Sequence, residues 1–298
     1  MANRQLFQKV WKVTAFRPGP GTPGGFVAAH PNYFEDAPNG FEITKLRVQC
    51  SIEKHIGSDP NTCDVTITNL SAGMRAEIVK KPIVIRIDAG YVQDVGAIHL
   101  FTGDLRYGYS KRNGADWETH LQLGDGSRAY AGARISKSYR KGTPAIIALR
   151  DAAASLGLAL PPGIAASPDL QKAFASGRCL HGDVATEMTK LLAPFGYGWS
   201  IQNGKLQILS DSTTRADEAF LISQATGLTG SPEIGAPPKD GGPATITIQN
   251  LLYPQLTPGC RLSVQSASIS GTFRAERVTH TLDSHGATWT TSVEAKPA

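Results

Sequence analysis

Residues 113–119 read Asn-Gly-Ala-Asp-Trp-Glu-Thr, and near the end of the chain residues 285–291 read His-Gly-Ala-Thr-Trp-Thr-Thr. Both stretches contain the pattern Gly-Ala-x-Trp-x-Thr, and alternating apolar residues lead into and out of each one. Internal repetition of this kind has to be weighed before any other interpretation, because it decides the whole fold. We therefore expect two copies of one β-module. Two unrelated hairpins that share turn chemistry are the simpler alternative.

A second pair of stretches supports duplication. Residues 66–70 read Thr-Ile-Thr-Asn-Leu and residues 247–251 read Thr-Ile-Gln-Asn-Leu, each upstream of one tryptophan. The spacing to the tryptophan differs between the copies, as expected when loops vary in length and strand cores do not. The sequence predicts that the copies superpose, with both indoles buried. The predicted equivalent anchors are Asn69, Gly114, Trp117 and Thr119 in the first copy, and Asn250, Gly286, Trp289 and Thr291 in the second.

Apolar residues at period two define the strands of the first copy. Residues 6–16 alternate loosely, and residues 43–54 and 63–69 alternate on either side of a turn, which predicts an antiparallel hairpin. A short helix is expected between Ser71 and Ile78. Further strands follow up to about Gly126, folded at Asn113-Gly114, a dipeptide typical of type I′ turns. These strands predict a closed or nearly closed β-barrel.

The pattern changes between the two copies. Thr143-Pro144 is a typical helix start, a second helix is expected from Asp183, and a tight hairpin is expected at Asn203-Gly204. The predicted fold class is therefore mainly β with an α+β insertion. We place the first β-module at residues 1–130, the α+β middle domain at residues 131–211, and a linker with the second β-module at residues 212–298.

Composition favours an ordinary globular protein. The 298 residues are 41% hydrophobic and 18% charged, with a formal net charge of +5 and a pI near 9.0. The basic residues form no cluster longer than a pair, so sequence-specific DNA binding is not expected. No apolar run approaches the roughly 20 residues that span a bilayer, and the start of the sequence has no signal-peptide pattern. We expect a soluble protein without membrane insertion, and free thiols at its four scattered cysteines.

A search for reactive residues yields no catalytic signature. Gly19, Gly21 and Gly24 match Gly-x-Gly-x-x-Gly, but prolines interrupt the loop and no helix pattern follows. Cys179 and His181 stand too close in sequence for a usual nucleophile pair, and the seven histidines show no metal-ligand spacing. His280 is expected to be a hydrogen-bonded core residue. We expect no cofactor and no metal.

Asp104, Asp116 and Glu118 are the candidate carboxylates for glycoside cleavage. Glu118 is expected to point outward on its strand, and the second copy has Thr290 at the corresponding place. The catalytic set is therefore predicted to be empty, and the protein is not expected to be an enzyme.

With these motifs in view, the chain resembles the baseplate hub proteins of tailed bacteriophages, a family related to the hub part of type VI secretion spike proteins. The resemblance lies in the order of several short segments, which cover most of the chain from about residue 40. The segments are residues 59–71, Ala89-Gly90-Tyr91, Phe101-Thr102-Gly103-Asp104, Asp116-Trp117-Glu118-Thr119, and residues 269–274 through to Trp289.

The resemblance implies two tail-tube-like β-barrel modules flanking a smaller α+β domain. It also implies a homotrimer whose six similar modules join the six-fold tail tube to the three-fold central spike in the virion baseplate, assembled in the bacterial host cytoplasm. The implied partners are further copies of the chain, a tail tube or distal tail protein, the spike, other baseplate proteins, and DNA in transient, nonspecific contact during ejection. The alternatives are a tail-tip cell-wall hydrolase, a peptidoglycan-binding protein with a LysM-like middle domain, and a monomeric carbohydrate-binding module.

Overall fold

The structure is a computed structural model that describes residues 8–17, 40–80, 82–210, 213–215, 219–235 and 244–298. The Gly-rich loop at Gly19–Gly24, the first residues of the predicted first strand and parts of the predicted linker lie outside these ranges. The described residues confirm the predicted fold class, mainly β with helices concentrated in the middle of the chain.

The strands of the first module are β1 (Lys9–Phe16), β2 (Phe41–Ile43), β3 (Val48–His55), β4 (Thr62–Thr68), β5 (Val84–Tyr91), β6 (Gly96–Asn113) and β7 (Asp116–Gly124), with helix α1 (Ala72–Ile78). The middle of the chain holds α2 (Ser127–Gly132), β8 (Arg134–Tyr139), α3 (Ala145–Ser155), β9 (Arg178–Asp183), α4 (Val184–Leu192), β10 (Tyr197–Gln202) and β11 (Lys205–Ser210). The second module holds β12 (Ala219–Ile222), β13 (Glu233–Ile234), β14 (Ile246–Leu251), β15 (Arg261–Gln265), β16 (Ser270–Asp283) and β17 (Trp289–Pro297).

Both modules belong to one 13-stranded sheet. Its main path runs β13-β14-β17-β16-β3-β4-β7-β6-β5-β1-β2, and β15 and β12 branch from β16. The predicted hairpin of β3 and β4 is confirmed, with Cys50 opposite Val65 and Ile52 opposite Cys63. Period-two burial along these strands places their apolar side chains on one face, as a half-buried antiparallel sheet requires.

The first module curls around a single core. Trp11 and Val13 of β1 line the same small cavity as Val48 and Cys50 of β3, so the two ends of the seven-strand path converge there. Among the described strands, no ladder joins β2 to β3. The module is therefore curled, but its described strand pairs do not close it into a complete barrel.

The middle domain has its own core, built from α3, α4, the β10–β11 hairpin and the two-stranded sheet of β8 and β9. Helix α4 begins next to Asp183, as predicted, and Asp183 caps it by accepting a hydrogen bond from the Thr186 backbone N–H. Pro144 occupies the N-cap of α3, one residue later than predicted. The turn at Asn203 and Gly204 has positive φ at both residues, 52° and 73°, which fits the predicted tight hairpin.

Candidate assembly face

The hairpins β6–β7 and β16–β17 have the same pattern of strand pairing, which we call the shared ladder. Each carries a β-bulge, between Leu105 and Tyr107 in the first and between Ala275 and Arg277 in the second. The opposing residues across each bulge are Leu123 and Gln122 in one copy and Ala295 and Glu294 in the other, which stand at the same distance after their tryptophans. A bulge bends a strand and re-aims its side chains, so both hairpins change direction at the same place.

Thr119 and Thr291 are equivalent in this ladder, and both are fully buried. Thr119 lies opposite Ser110, with 3.0 Å between their hydroxyl oxygens. Thr291 lies opposite His280, with 2.9 Å between Oγ1 and Nδ1. His280 is also fully buried, which confirms the prediction of a hydrogen-bonded core histidine. Burial lowers the pKa of His280 to about 3 because the charged imidazolium would lose its hydration.

Trp117 and Trp289 hold the same ladder position, but only Trp289 is a core anchor. Trp289 is buried in the core of the first module, whereas Trp117 is 36% exposed. The guanidinium of Arg75 lies 4.2 Å from the centre of the Trp117 ring and covers part of it. The prediction that both indoles are buried is therefore wrong for Trp117, because its hairpin tip is exposed and Arg75 of α1 covers only part of the ring.

Asn69 and Asn250 are not equivalent. The Asn69 backbone N–H donates to the Trp117 carbonyl, and the residue that makes the same bond to Trp289 is Leu252. Asn250 lies opposite Thr291, two residues away in the ladder. The predicted superposition of the two asparagines is therefore wrong by two residues.

The two asparagines also make different contacts. Asn69 adopts a positive φ of 61°, and its side chain accepts from the Trp117 N–H and donates to Asp116. The Asn250 side chain is buried and donates to the Thr226 and Leu251 carbonyls. The asparagines of the two Thr-Ile-x-Asn-Leu stretches therefore have different structural roles, despite the shared pattern.

The turn glycines also differ from prediction. Asn113 pairs with Asp116, so Gly114 and Ala115 are the central residues of the first turn, and of these two only Gly114 has positive φ, 61°. That pattern matches a type II′ turn, not the predicted type I′. Gly286 is needed for another reason, since a Cβ there would collide with the carboxylate of Asp283. That carboxylate accepts from the backbone N–H groups of His285 and Gly286.

A strand ladder joins the two modules edge to edge. Residues 277–283 of β16 pair antiparallel with residues 49–55 of β3. The Arg277 guanidinium donates to Glu53 across this seam at 2.6 Å and lies 3.7 Å from Glu294 on β17. The modules therefore form one continuous surface.

The solvent-facing side of this sheet is rich in hydroxyl and amide groups. We call it the polar face, and all its members are half-buried or exposed. They are Thr247 and Gln249 on β14, Thr290, Ser292 and Glu294 on β17, Arg277, Thr279 and Thr281 on β16, Gln49, Ser51 and Glu53 on β3, Asp64, Thr66 and Thr68 on β4, Glu118, His120 and Gln122 on β7, and Tyr107, Tyr109 and Lys111 on β6.

Buried polar groups tie the middle domain to the first module. The Asp125 carboxylate accepts from the backbone N–H groups of Asn203 and Gly204 in the β10–β11 turn. The Asn61 side chain donates to the Ile201 carbonyl and to Gln202, and the Gln202 side chain donates to the His55 carbonyl. Buried hydrogen bonds of this kind fix orientation, because losing one partner leaves the other without solvation.

Lys54 is fully buried and donates from Nζ to the Leu100 carbonyl at 2.5 Å. Burial lowers the pKa of Lys54 and raises the pKa of Asp125, and their mutual attraction opposes both shifts. Sequence reasoning assigned no role to either residue. A signal for Lys54 exists, since it continues the period-two positions of Val48, Cys50 and Ile52 and so must point inward.

Of the three candidate carboxylates, Asp104 lies apart from Asp116 and Glu118, which stand two residues apart on β7. Asp104 is buried where β6 enters the core, opposite Gly124, while Asp116 lies at the far end of β7. Eight residues of extended strand separate these ladder positions by roughly 26 Å, far beyond the spacing of about 5–9.5 Å between glycosidase carboxylates. Glu118 faces outward beside His120, as predicted. Cys179 and His181 lie on one face of β9, where they contact Ser138 and Ser136 respectively.

Within the ranges that the structure describes, no three histidine, cysteine or acidic side chains gather as they would around a metal ion. A search of the same residues finds no helix with the length and apolar character of a membrane span.

Comparison with solved structures identifies the fold. The 43 kDa tail protein of prophage MuSo2 from Shewanella oneidensis matches with a TM-score of 0.64 at 9% identity, over 86% of this chain and 94% of that one. The tail protein from Neisseria meningitidis MC58 matches with a TM-score of 0.59 at 12% identity, over 97% of both chains.

The Escherichia coli c3393 protein also matches, with a TM-score of 0.56 at 11% identity, over 85% of this chain and 73% of that one. It is described as a component of the type VI secretion system with structural similarity to the T4 tail proteins gp27 and gp5. No family model matches the sequence, and no curated protein matches it. The chain has the fold of phage tail proteins.

Proposed function

We propose that this chain is the structural hub of a phage tail baseplate. In this role three copies close into a ring of six similar modules, which joins the six-fold tail tube to the three-fold central spike. The observation that carries the proposal is that the β6–β7 and β16–β17 hairpins have the same pairing register and the same bulge position, and that both belong to a single continuous sheet. A chain that presents the same β-unit twice can meet a six-fold neighbour with three copies.

The polar face is the proposed wall of the ring's channel. Arg277 is engaged by Glu53 and Glu294, and Lys111 lies 4.0 Å from Glu118, so these cations have acidic neighbours. Affinity for nucleic acid comes mainly from cations that neutralise phosphates. A wall of hydroxyl, amide and paired groups suits DNA that must slide through during ejection.

The proposed partners are further copies of this chain, the tail tube or distal tail protein, the spike and other baseplate proteins, in the virion tail after assembly in the host cytoplasm. A structural role is favoured over a tail-tip hydrolase because Asp104 lies far from Asp116, while Asp116 and Glu118 accept hydrogen bonds from Asn69 and Asn113 at the hairpin tip. The duplicated ladder likewise favours assembly over a monomeric carbohydrate-binding or peptidoglycan-binding role.

Cryo-electron microscopy of the intact particle tests the proposal. The expected result is three copies of this chain at the junction of tube and spike, with the polar face toward the channel. A different copy number, a position elsewhere on the particle, or a polar face turned outward would overturn it.

A further inference from the structure

One edge of β6 has no strand beside it in the described part of the chain. The ladder of β6 with β5 ends at Asp104, while its ladder with β7 continues to Asn113. Residues 107–113 are therefore paired on one side only, and Tyr107 and Tyr109 on this segment are 57% and 40% exposed. Unpaired backbone groups on an extended edge favour the addition of another strand.

The equivalent edge in the second module is occupied. The shared ladder makes Ser110 equivalent to His280 and Lys111 equivalent to Thr281. There, residues 277–283 of β16 pair with β3, with His280 opposite Ile52 and Thr281 opposite Ser51. The pairing of β16 with β3 is thus an example, within the chain, of the strand pairing that the β6 edge lacks.

The second module also contains the counterpart of β3. That counterpart is β13, which lies beside β14 as β3 lies beside β4 and ends the sheet among the described strands. Following the two ladders, Ile234 corresponds to Ile52 and Glu233 corresponds to Ser51. Ile52 is fully buried, whereas Ile234 is 69% exposed.

We propose that β13 of a second copy of this chain adds antiparallel to the β6 edge, in the register that β3 and β16 use within the chain. This places Ile234 opposite Ser110 of the other copy and Glu233 opposite Lys111. The inference rests on the proposed ring, because the same contact repeated around three copies closes it. Continuity with the β3–β16 seam is the reason to name a second copy as the occupant.

The side chains suit this register. Glu233 meets Lys111 with opposite charge on the polar face, and cross-strand pairs of opposite charge are favourable. Gly235, which continues the β13 ladder through its bond to the Thr245 carbonyl, falls opposite Tyr109 and leaves space for the ring. Ile234 turns inward and loses its exposure to water, as Ile52 does in the internal seam.

Disulfide trapping between copies tests the register. In a C179S background, which removes the one exposed native cysteine, the variant E233C/K111C is oxidised at high protein concentration. The expected product is a covalent ladder of two and three chains that stops at a closed trimer. The matched control E233C/N113C places the second thiol on the same face but two residues out of register, and it should cross-link at least tenfold less.

The outcomes separate the strand pairing from the ring. Absence of cross-linked chains from E233C/K111C, or equal yields from both variants, overturns the pairing. A ladder that runs on past three chains supports the pairing but overturns the proposed three-copy hub. A trimer by light scattering that neither variant cross-links overturns the pairing and leaves the hub standing. Mass spectrometry of the trapped peptide identifies the two bonded positions.

Discussion

Trp117 and Trp289 hold equivalent positions in two hairpins with the same ladder, yet Trp289 is 3% exposed and Trp117 is 36% exposed. The Trp289 indole fills the seam where β1 and β3 of the first module converge, beside Trp11 and Val48. One tryptophan thus lies in the joint between the modules, and the other lies at a partly exposed hairpin tip.

This difference predicts unequal effects of truncation. Replacing Trp289 with Ala should lower the free energy of unfolding by about 3–5 kcal/mol, because it leaves a large cavity in a packed seam. Replacing Trp117 with Ala should cost about 1 kcal/mol or less, since it removes a partly exposed contact with Arg75. Urea unfolding followed by circular dichroism measures both, and equal losses would show that Trp117 carries a core contact as well.

The two turn glycines predict a second contrast. Replacing Gly114 with Ala should cost about 1 kcal/mol, because the native φ is positive, whereas Asn is among the residues that type I′ and II′ turns accept and should restore part of the loss. Replacing Gly286 with either residue should destabilise equally, because the collision with Asp283 involves Cβ itself. Thermal unfolding of the four variants is the measurement, and recovery by Asn at position 286 would contradict the assigned cause.

Much of the architecture could be predicted from alternation and turn chemistry. The hairpin of β3 and β4, the start of α4 and the turn at Asn203 are all local patterns, and local patterns survive folding when tertiary contacts agree with them. The paired Trp motif also pointed to two equivalent hairpins. The two tryptophans hold the same position in their ladders, as the motif indicated, because strand pairing keeps its register on both sides of the shared bulge.

Other features could not be predicted, because they depend on where segments meet. The sequence around Trp117 and Trp289 is similar, and only the joining of β3 to β16 decides which indole is buried. The displacement of Asn250 from Asn69 arises in the same way, since a five-residue pattern does not fix which residue faces the tryptophan. Asp125 follows the last strand of its module, and its role depends on a turn that lies far along the chain.

Burial of His280 predicts a pH effect. Its pKa is about 3 in the folded protein and about 6.5 when unfolded, so below pH 6.5 the unfolded state binds more protons. This group's contribution to stability is therefore full above pH 6.5 and declines as the pH falls toward 3. Burial raises the pKa of Asp125, so between about pH 4 and 7 this group stabilises the folded protein more as the pH falls. The effect of His280 must therefore be isolated by comparing the wild type with a variant that lacks the histidine.

The comparison uses His280→Asn, which keeps a polar group near Thr291 and removes the titration. The stability of the wild type relative to this variant should fall as the pH is lowered from 7.5 to 4.5, by up to a few kcal/mol. Urea unfolding at several pH values measures the difference. A difference that stays constant with pH would mean that His280 is not shielded from protons in the folded state.

Lys54 and Asp125 are both buried, and each favours the charged form of the other. Removing one partner withdraws that attraction from the other, a loss on the order of 1–3 kcal/mol. Lys54→Met and Asp125→Asn should each destabilise the protein by that order. The double variant should be more stable than the sum of the two losses implies, with a coupling energy of about 1–3 kcal/mol. The amide introduced by Asp125→Asn keeps one acceptor oxygen for the backbone N–H groups of Asn203 and Gly204, so the turn contact is weakened and not lost.

A matched control lies on the polar face. The Lys111 and Glu118 side chains are 4.0 Å apart and at least partly exposed, and such pairs contribute about 1 kcal/mol or less. Lys111→Met should therefore change stability little, and added salt should reduce even that effect. Losses at Lys54 and Asp125 that simply add would show that the two charges do not interact. The contribution of Asp125 to the link between the middle domain and the first module would then rest on its hydrogen bonds to Asn203 and Gly204.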